Sequence, residues 1–169
     1  LISGPVNLKT PEKVKRHDVL SADEMKLKVE ELIEDCDIFI AAAAVSDFKP
    51  KEIYKNKIKK NETEKHLNLK MDKNSDILKV ISEKNLNLKT VGFAAETENL
   101  LSNAKKKLSQ KKLDLIVAND VSKKDIGFDS DENEVTLITK KEQKKIKKAS
   151  KKIVSKKIVE FIASKVVND

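Results

Sequence analysis

The sequence is short of the residues that build ready-made chemistry. Cys36 is the only cysteine in 169 residues, so no intrachain disulfide can form, and a cysteine-based metal site is excluded with it. The two histidines, His17 and His66, stand far apart, so a metal would have to be held largely by carboxylates. Only Gly4, Gly92 and Gly127 are glycine. No G-x-G-x-x-G turn and no Walker A loop can be written from them, which disfavours an ordinary nicotinamide-dependent oxidoreductase unless a Gly-rich turn lies upstream of Leu1. No apolar run reaches the roughly 18 residues that a membrane span requires. The opening LISGPVNLKT lacks the basic-then-apolar order of a signal peptide. The expectation is a soluble protein of the reducing cytoplasm, with no membrane partner.

Arginine and aromatic residues are scarce as well. The chain carries a net charge of +8, yet Arg16 is the single arginine among 36 basic residues. Clustered cations neutralise phosphates, but base-edge and bidentate phosphate recognition favour the guanidinium fork. With five Phe, one Tyr and no Trp, a stacking platform for single strands is poorly supplied. A noncatalytic basic nucleic-acid-binding module is therefore the alternative, not the main reading, and no nucleic-acid partner is expected.

What is present is 38% hydrophobic content, enough for the core of one domain over residues 1–169. LISGPV reads as a strand end entering a turn at Gly4 and Pro5, as though the chain begins inside an element. Residues 14–19 form a short extended candidate. Ser21-Ala22-Asp23-Glu24 is a capping box ahead of Met25, Val29, Leu32 and Ile33 at helical spacing. Residues 37–45, Asp-Ile-Phe-Ile-Ala-Ala-Ala-Ala-Val, are apolar on successive positions, as in a strand buried on both faces of a parallel sheet. Its small-residue end would let a ligand approach the backbone at the carboxyl edge, where open α/β sheets bind ligands. Packing under a helix explains the alanines equally well.

Residues 46–64 are polar and lysine-rich and read as a long mobile loop, a feature uncommon unless functional. Residues 67–71 alternate as an edge strand. Asn74 or Ser75 caps a helix carrying Ile77, Leu78 and Ile81, residues 90–95 are a short buried strand, Thr97 caps a helix with Leu100, Leu101, Ala104 and Leu108, and residues 113–118 are a third buried strand. Strand–helix alternation over residues 14–118 predicts a mostly parallel sheet with right-handed crossovers. Residues 135–139 and 144–148 suggest a polar hairpin, and a helix from Ser150 places Val154, Ile158, Phe161, Ile162 and Val166 on one face. The run KKEQKKIKK reads as a solvated hairpin. The predicted fold is α/β: a Rossmann-like three-layer domain with a mostly parallel sheet, plus a C-terminal β-hairpin and helix.

The candidate functional residues are polar groups at strand ends. Asp47, directly after the alanine strand, could accept hydrogen bonds from a ribose or amine or help hold a divalent cation; a turn or cap role is the alternative. Lys57, with Lys59 and Lys60, offers a cationic arm that could close over phosphates, or simply surface charge. Lys107 and Lys111 are four apart and share a helical face near the sheet's ligand edge. Holding two like charges together costs stability unless an anion lies between them. Asn74 at a helix start could present backbone N–H groups to an anion, although capping alone explains it. No Ser/His/Asp or Cys/His constellation is present, which favours electrostatic positioning over covalent catalysis.

The segments LISGPVNLKTPEKVKRHDVLSADEM, AAAAVSDF, NKIKK, KNSDIL, GFAAET and LIVANDVSKKDIGFDSDENEV, in this order, together resemble phosphopantothenoylcysteine synthetase over nearly the whole chain. In bacteria that activity commonly forms the C-terminal half of a bifunctional protein whose other half is a flavin-dependent decarboxylase. The resemblance implies a ligase of coenzyme A biosynthesis. The carboxylate of 4′-phosphopantothenate attacks the α-phosphate of CTP, giving an acyl-cytidylate and pyrophosphate, and the cysteine amine then displaces CMP. It further implies Mg2+ with the nucleotide, FMN only in a decarboxylase half outside this chain, and a homodimer, larger if fused.

Carried over residue by residue, the resemblance has Ala41, Ala42 and Ala43 line the nucleotide pocket with Asp47 beside them. Lys57, on a flexible flap, would contact phosphate and act catalytically in the acyl-cytidylate step. Asn74, Ser75, Asp76, Ile77 and Phe93 would enclose the nucleotide, and Lys107 and Lys111 would contact it from their helix. Two departures are mild: Ser75 stands where the family commonly has Pro, and Ala41 where it often has Gly. The larger one is upstream, since the family's Gly-rich first turn and its SNHSSG-like segment have no counterpart here. The expectation is a fragment lacking part of the phosphate site and one catalytic Asn. The sequence does not decide CTP against ATP or name metal ligands.

Overall fold

A computed structural model describes residues 1–54, 56–59, 66–84, 87–122 and 130–167. They fall into two units, residues 1–29 with 43–76, and residues 30–42 with 77–169.

In the first unit, β1 (Ile2–Ser3) and β2 (His17–Asp18) pair in parallel. The helix α1 (Ala22–Leu32), whose last residues are counted with the second unit, follows the predicted capping box. Ser21 Oγ accepts from Glu24 N–H at 3.2 Å, and the Glu24 carboxylate turns back to accept from Leu20 N–H at 2.7 Å, so two otherwise orphaned donors are satisfied. The stretch expected to be a structureless loop contains a strand, β4 (Phe48–Pro50), paired antiparallel with β5 (Met71–Lys73). Residues 67–71, expected to form the edge strand, contribute only Met71 to it. Lys49 on β4 forms an ion pair with Asp23 at the start of α1. Lys60 lies outside the described residues.

The second unit is built on a five-stranded sheet. Its order is β3 (Ile38–Ala41), β6 (Lys89–Glu96), β7 (Leu115–Asp120), β8 (Glu132–Ile138) and β9 (Gln143–Ser150). The first three strands run parallel, and the hairpin β8–β9 extends the same sheet in antiparallel sense. The predicted C-terminal hairpin is therefore part of the main sheet, which makes that sheet mixed. Helices α2 (Ile77–Glu83), α3 (Leu100–Gln110) and α4 (Lys151–Lys165) complete the unit.

Alternation along the strands divides the core between two faces. Val91, Leu115, Val117, Val135, Leu137 and Ile146 pack with Val154, Ile158, Phe161, Ile162 and Val166 around α4. Ala94, Ile116, Ala118 and Ile138 pack with Leu113 and with Ala104 and Leu108 of α3, joined by Leu78 of α2. Residues 115–118 are buried on both sides, which is why their sequence is apolar without alternation. Three layers result: helix, sheet, helices.

Two local expectations change. The strand predicted over residues 37–45 stops at Ala41, and Ile40 is 45% exposed, because β3 has β6 as its one neighbour among the described residues. Helix α3 starts at Leu100 behind Asn99, whose φ of 51° and ψ of 35° are left-handed and whose side chain makes no cap. Asn tolerates that region better than most residues, and it stands at the N-cap position expected for Thr97 without a capping side-chain bond. Ser150 caps α4 as expected, its Oγ accepting from Ile153 N–H at 3.4 Å.

Candidate functional site

In the second unit the candidates gather toward the carboxyl ends of the parallel strands. Ala41, the last residue of β3, is in register with Gly92 of β6. Gly92 is buried, and a Cβ there would come within 2.7 Å of Leu78 Cδ2 and 2.9 Å of Leu113 Cδ1, so this strand position is held small by packing behind it. Phe93 follows, shares the parity of Val91, and keeps 40% of its surface exposed. An aromatic ring left open beside a strand of small residues can lie against a planar base.

Glu96 ends β6 in register with Asp120 of β7. Its side chain, 12% exposed, accepts from Lys107 Nζ at 2.6 Å and from Asn103 Nδ2 at 3.3 Å. Lys107 therefore has an internal counter-charge, the anion that two neighbouring lysines call for. Lys111 is the C-cap of α3, its N–H bonded to Lys107 O at 3.0 Å. It lies one turn beyond Lys107, at the end of the helix. Glu96 and Asn103 are not among the candidates read from the sequence; the signal is the GFAAETE stretch itself, in which Glu96 is the less exposed of two carboxylates. Ile77 opens α2 and is only 8% exposed, which leaves its backbone, not its side chain, for a ligand.

In the first unit Asn74 has a role that its position before a helix did not reveal. Its N–H donates to Asp47 O at 2.8 Å, and its Nδ2 donates to Ser46 O at 2.9 Å and to Ser46 Oγ at 3.4 Å. Asn74 thus clasps the Ser46–Asp47 turn to the segment before α2 instead of capping that helix. It is 7% exposed, and its Oδ1 is buried with no partner among the described residues. Asp47, Ser75, Asp76, Lys57 and Ala43 are exposed. Ala43, Asp47, Lys57 and residues 74–76 belong to the first unit, and Ala41, Ala42, Ile77, Phe93, Lys107 and Lys111 to the second.

Among the described residues no group of three or more His, Cys, Asp or Glu side chains is placed to hold a metal ion. No helix among the described residues is long and apolar enough to cross a membrane. Cys36 is free and exposed.

Residues 1–166 match the family described as DNA/pantothenate metabolism flavoprotein C-terminal domain. The coenzyme A biosynthesis bifunctional protein CoaBC of Vibrio vulnificus strain CMCP6 is 43% identical over 163 residues, covering 96% of this chain and 41% of the relative. The chain thus spans about two fifths of the length of the curated relatives it matches. Among solved structures, the C-terminal domain of a CoaBC superposes with a TM-score of 0.80 at 31% identity, covering 99% of this chain and 74% of that one. A histidine-to-alanine mutant of Cab2, in complex with phosphopantothenate-cysteine, superposes with a TM-score of 0.64 over 88% of this chain and 53% of that one. At 19% identity the second likeness is one of fold.

Proposed function

The chain belongs to the DNA/pantothenate metabolism flavoprotein C-terminal domain family, and from that premise we propose that it serves the ligase step joining 4′-phosphopantothenate to cysteine at the expense of CTP. The observation that carries the reading is the edge formed by Ala41, at the end of β3, and the half-open ring of Phe93 on β6, at the carboxyl ends of parallel strands, where open α/β sheets bind ligands. The likeness to coenzyme A biosynthesis proteins over 96% of the chain supports it, as does the ligand named for Cab2.

In this reading the substrate carboxylate attacks the α-phosphorus of CTP, pyrophosphate leaves, and the cysteine amine attacks the acyl carbon to release CMP. The residues of this chain position and neutralise. Ala41, Ala42 and Ala43 line the nucleotide pocket and Phe93 lies against the nucleotide. Asp47, Ser75, Asp76 and the backbone at Asn74 and Ile77 also serve nucleotide binding, and Lys107 and Lys111 contact its phosphates. Lys57, exposed on its segment, stabilises the charge that builds on the α-phosphate oxygens. Mg2+ enters with the triphosphate, as a cation that prefers phosphate and water ligands to an all-protein cage. FMN belongs to a decarboxylase half outside residues 1–169. The setting is the cytoplasm and the assembly a homodimer.

Two measurements test this. Calorimetric titration with CTP and Mg2+, against ATP, NAD and a short DNA duplex, should show binding selective for CTP; a response to NAD or DNA alone would overturn the reading. In the full-length natural protein, Lys57→Ala should lower nucleotide-dependent pyrophosphate release by about 10²–10³ without changing the unfolding midpoint. Unchanged release would remove Lys57 from the catalytic role.

A further inference from the structure

The positive charge of the chain is not spread over it. Residues 140–165 hold eleven lysines and two glutamates, a surplus of nine, while the whole chain has a surplus of eight; everything else is slightly acidic. This segment is the turn of the β8–β9 hairpin, the strand β9 and the helix α4. General drift toward lysine would have raised the charge throughout.

The same segment borders a groove of about 380 Å³ between β9 and α4. Buried Ile146 and Phe161 lie in it, Lys144, Lys145, Lys147 and Lys157 line it, and Glu160, paired with Lys156 at 4.0 Å, is the one carboxylate among the lining residues. Lys144 Nζ stands 5.9 Å from the centroid of the Phe161 ring, and Lys145 pairs with Glu134 at 3.1 Å. Lys147 and Lys157 have no ion-pair partner among the described residues.

Among the described residues, β9 is also the last strand of its sheet. In the hairpin, Thr139 N–H donates to Glu142 O at 2.9 Å. Antiparallel alternation then makes Leu137–Lys144 and Val135–Ile146 the bonded pairs of the register and turns the backbone groups of Gln143 and Lys145 outward. An outer edge of this kind can receive another strand.

We propose that the β9 edge and the adjoining groove form a docking surface for an extended acidic segment of another protein. The segment adds as a strand to Gln143 and Lys145, and its carboxylates meet Lys144, Lys147 and Lys157. A second copy is disfavoured as the occupant, since edge-to-edge pairing of β9 would set lysine against lysine. Nucleic acid lacks the peptide groups that an open strand edge bonds, and the surface has no guanidinium fork to reward it. The surface is independent of the nucleotide-binding reading, and so is its test.

The probe is a fluorescein-labelled ten-residue peptide of alternating glutamate and threonine, followed by anisotropy and by amide hydrogen exchange of the protein. Binding is expected with protection at Gln143 and Lys145. Methylating alternate peptide nitrogens should weaken it by about tenfold, the effect of losing two or so backbone hydrogen bonds. The variant Lys144→Glu/Lys147→Glu/Lys157→Glu should lose binding, while a control at Lys9, Lys13 and Lys15 should keep it, both with unchanged circular dichroism. Equal binding of the methylated peptide, retention by the charge-reversed variant, or tighter binding of a DNA duplex or phosphatidylserine vesicles would each overturn the proposal.

Discussion

Replacing Gly92 by alanine isolates the packing behind the candidate nucleotide edge. The added methyl would sit 2.7 Å from Leu78 Cδ2 and 2.9 Å from Leu113 Cδ1, both closer than carbon atoms approach without repulsion. Leu113 is fully buried, with nowhere to turn, whereas Leu78 is only partly buried on α2 and can give way. Overpacking of this kind costs about 1–3 kcal/mol. Removing a glycine from the unfolded chain returns about 0.4–1 kcal/mol, because Gly92 lies in a regular strand that alanine can adopt. The net loss is about 1–2 kcal/mol, which with a urea slope of about 1–3 kcal/mol per molar lowers the midpoint by roughly 0.5–1 M. Urea titration followed by circular dichroism reads this directly. The collision with Leu78 predicts non-additivity as well, so Leu78→Ala should cost less in the Gly92→Ala background than in the parent. A midpoint unchanged or raised by Gly92→Ala, with the slope unaltered, would refute the reasoning.

Two further substitutions test contacts that the fold places together. Ser150→Ala removes the Oγ that accepts from Ile153 N–H and should lower stability by about 1 kcal/mol, seen as a fall of about 2–4 °C in the melting temperature; no change would mean that α4 needs no side-chain cap. Glu96→Gln and Lys107→Met, made singly and together, should show a coupling of about 1 kcal/mol in urea unfolding, modest because the Lys107 side chain is 44% exposed and partly solvated pairs are weak. Strict additivity would show that the 2.6 Å contact contributes nothing to stability.

Much of the fold was legible because its signals are local. The run Leu115-Ile116-Val117-Ala118 announces two-sided burial by lacking alternation, and both helical layers do bury it. The spacing of Val154, Ile158, Phe161, Ile162 and Val166 announces the face of α4 that meets the sheet. Ser21 and Glu24 announce the start of α1, and Ser150 that of α4. Each of these patterns resides within one element, where periodicity and capping act over a few residues.

The sequence by itself determined the strand–helix order, the two-sided core and the ordered motifs that place the chain in its family. Tertiary structure alone decided the pairings between distant stretches. It set β4, in a segment that looks like loop, against β5, joined the C-terminal hairpin to the parallel strands, and drew Asn74 to Ser46. It also gave Lys107 its counter-charge in Glu96 and concentrated an open, lysine-rich strand edge at β9. None of these has a local signature, because a strand edge or a buried amide selects its partner by which groups the folded backbone brings within hydrogen-bonding reach, and that proximity exists only once the layers have packed.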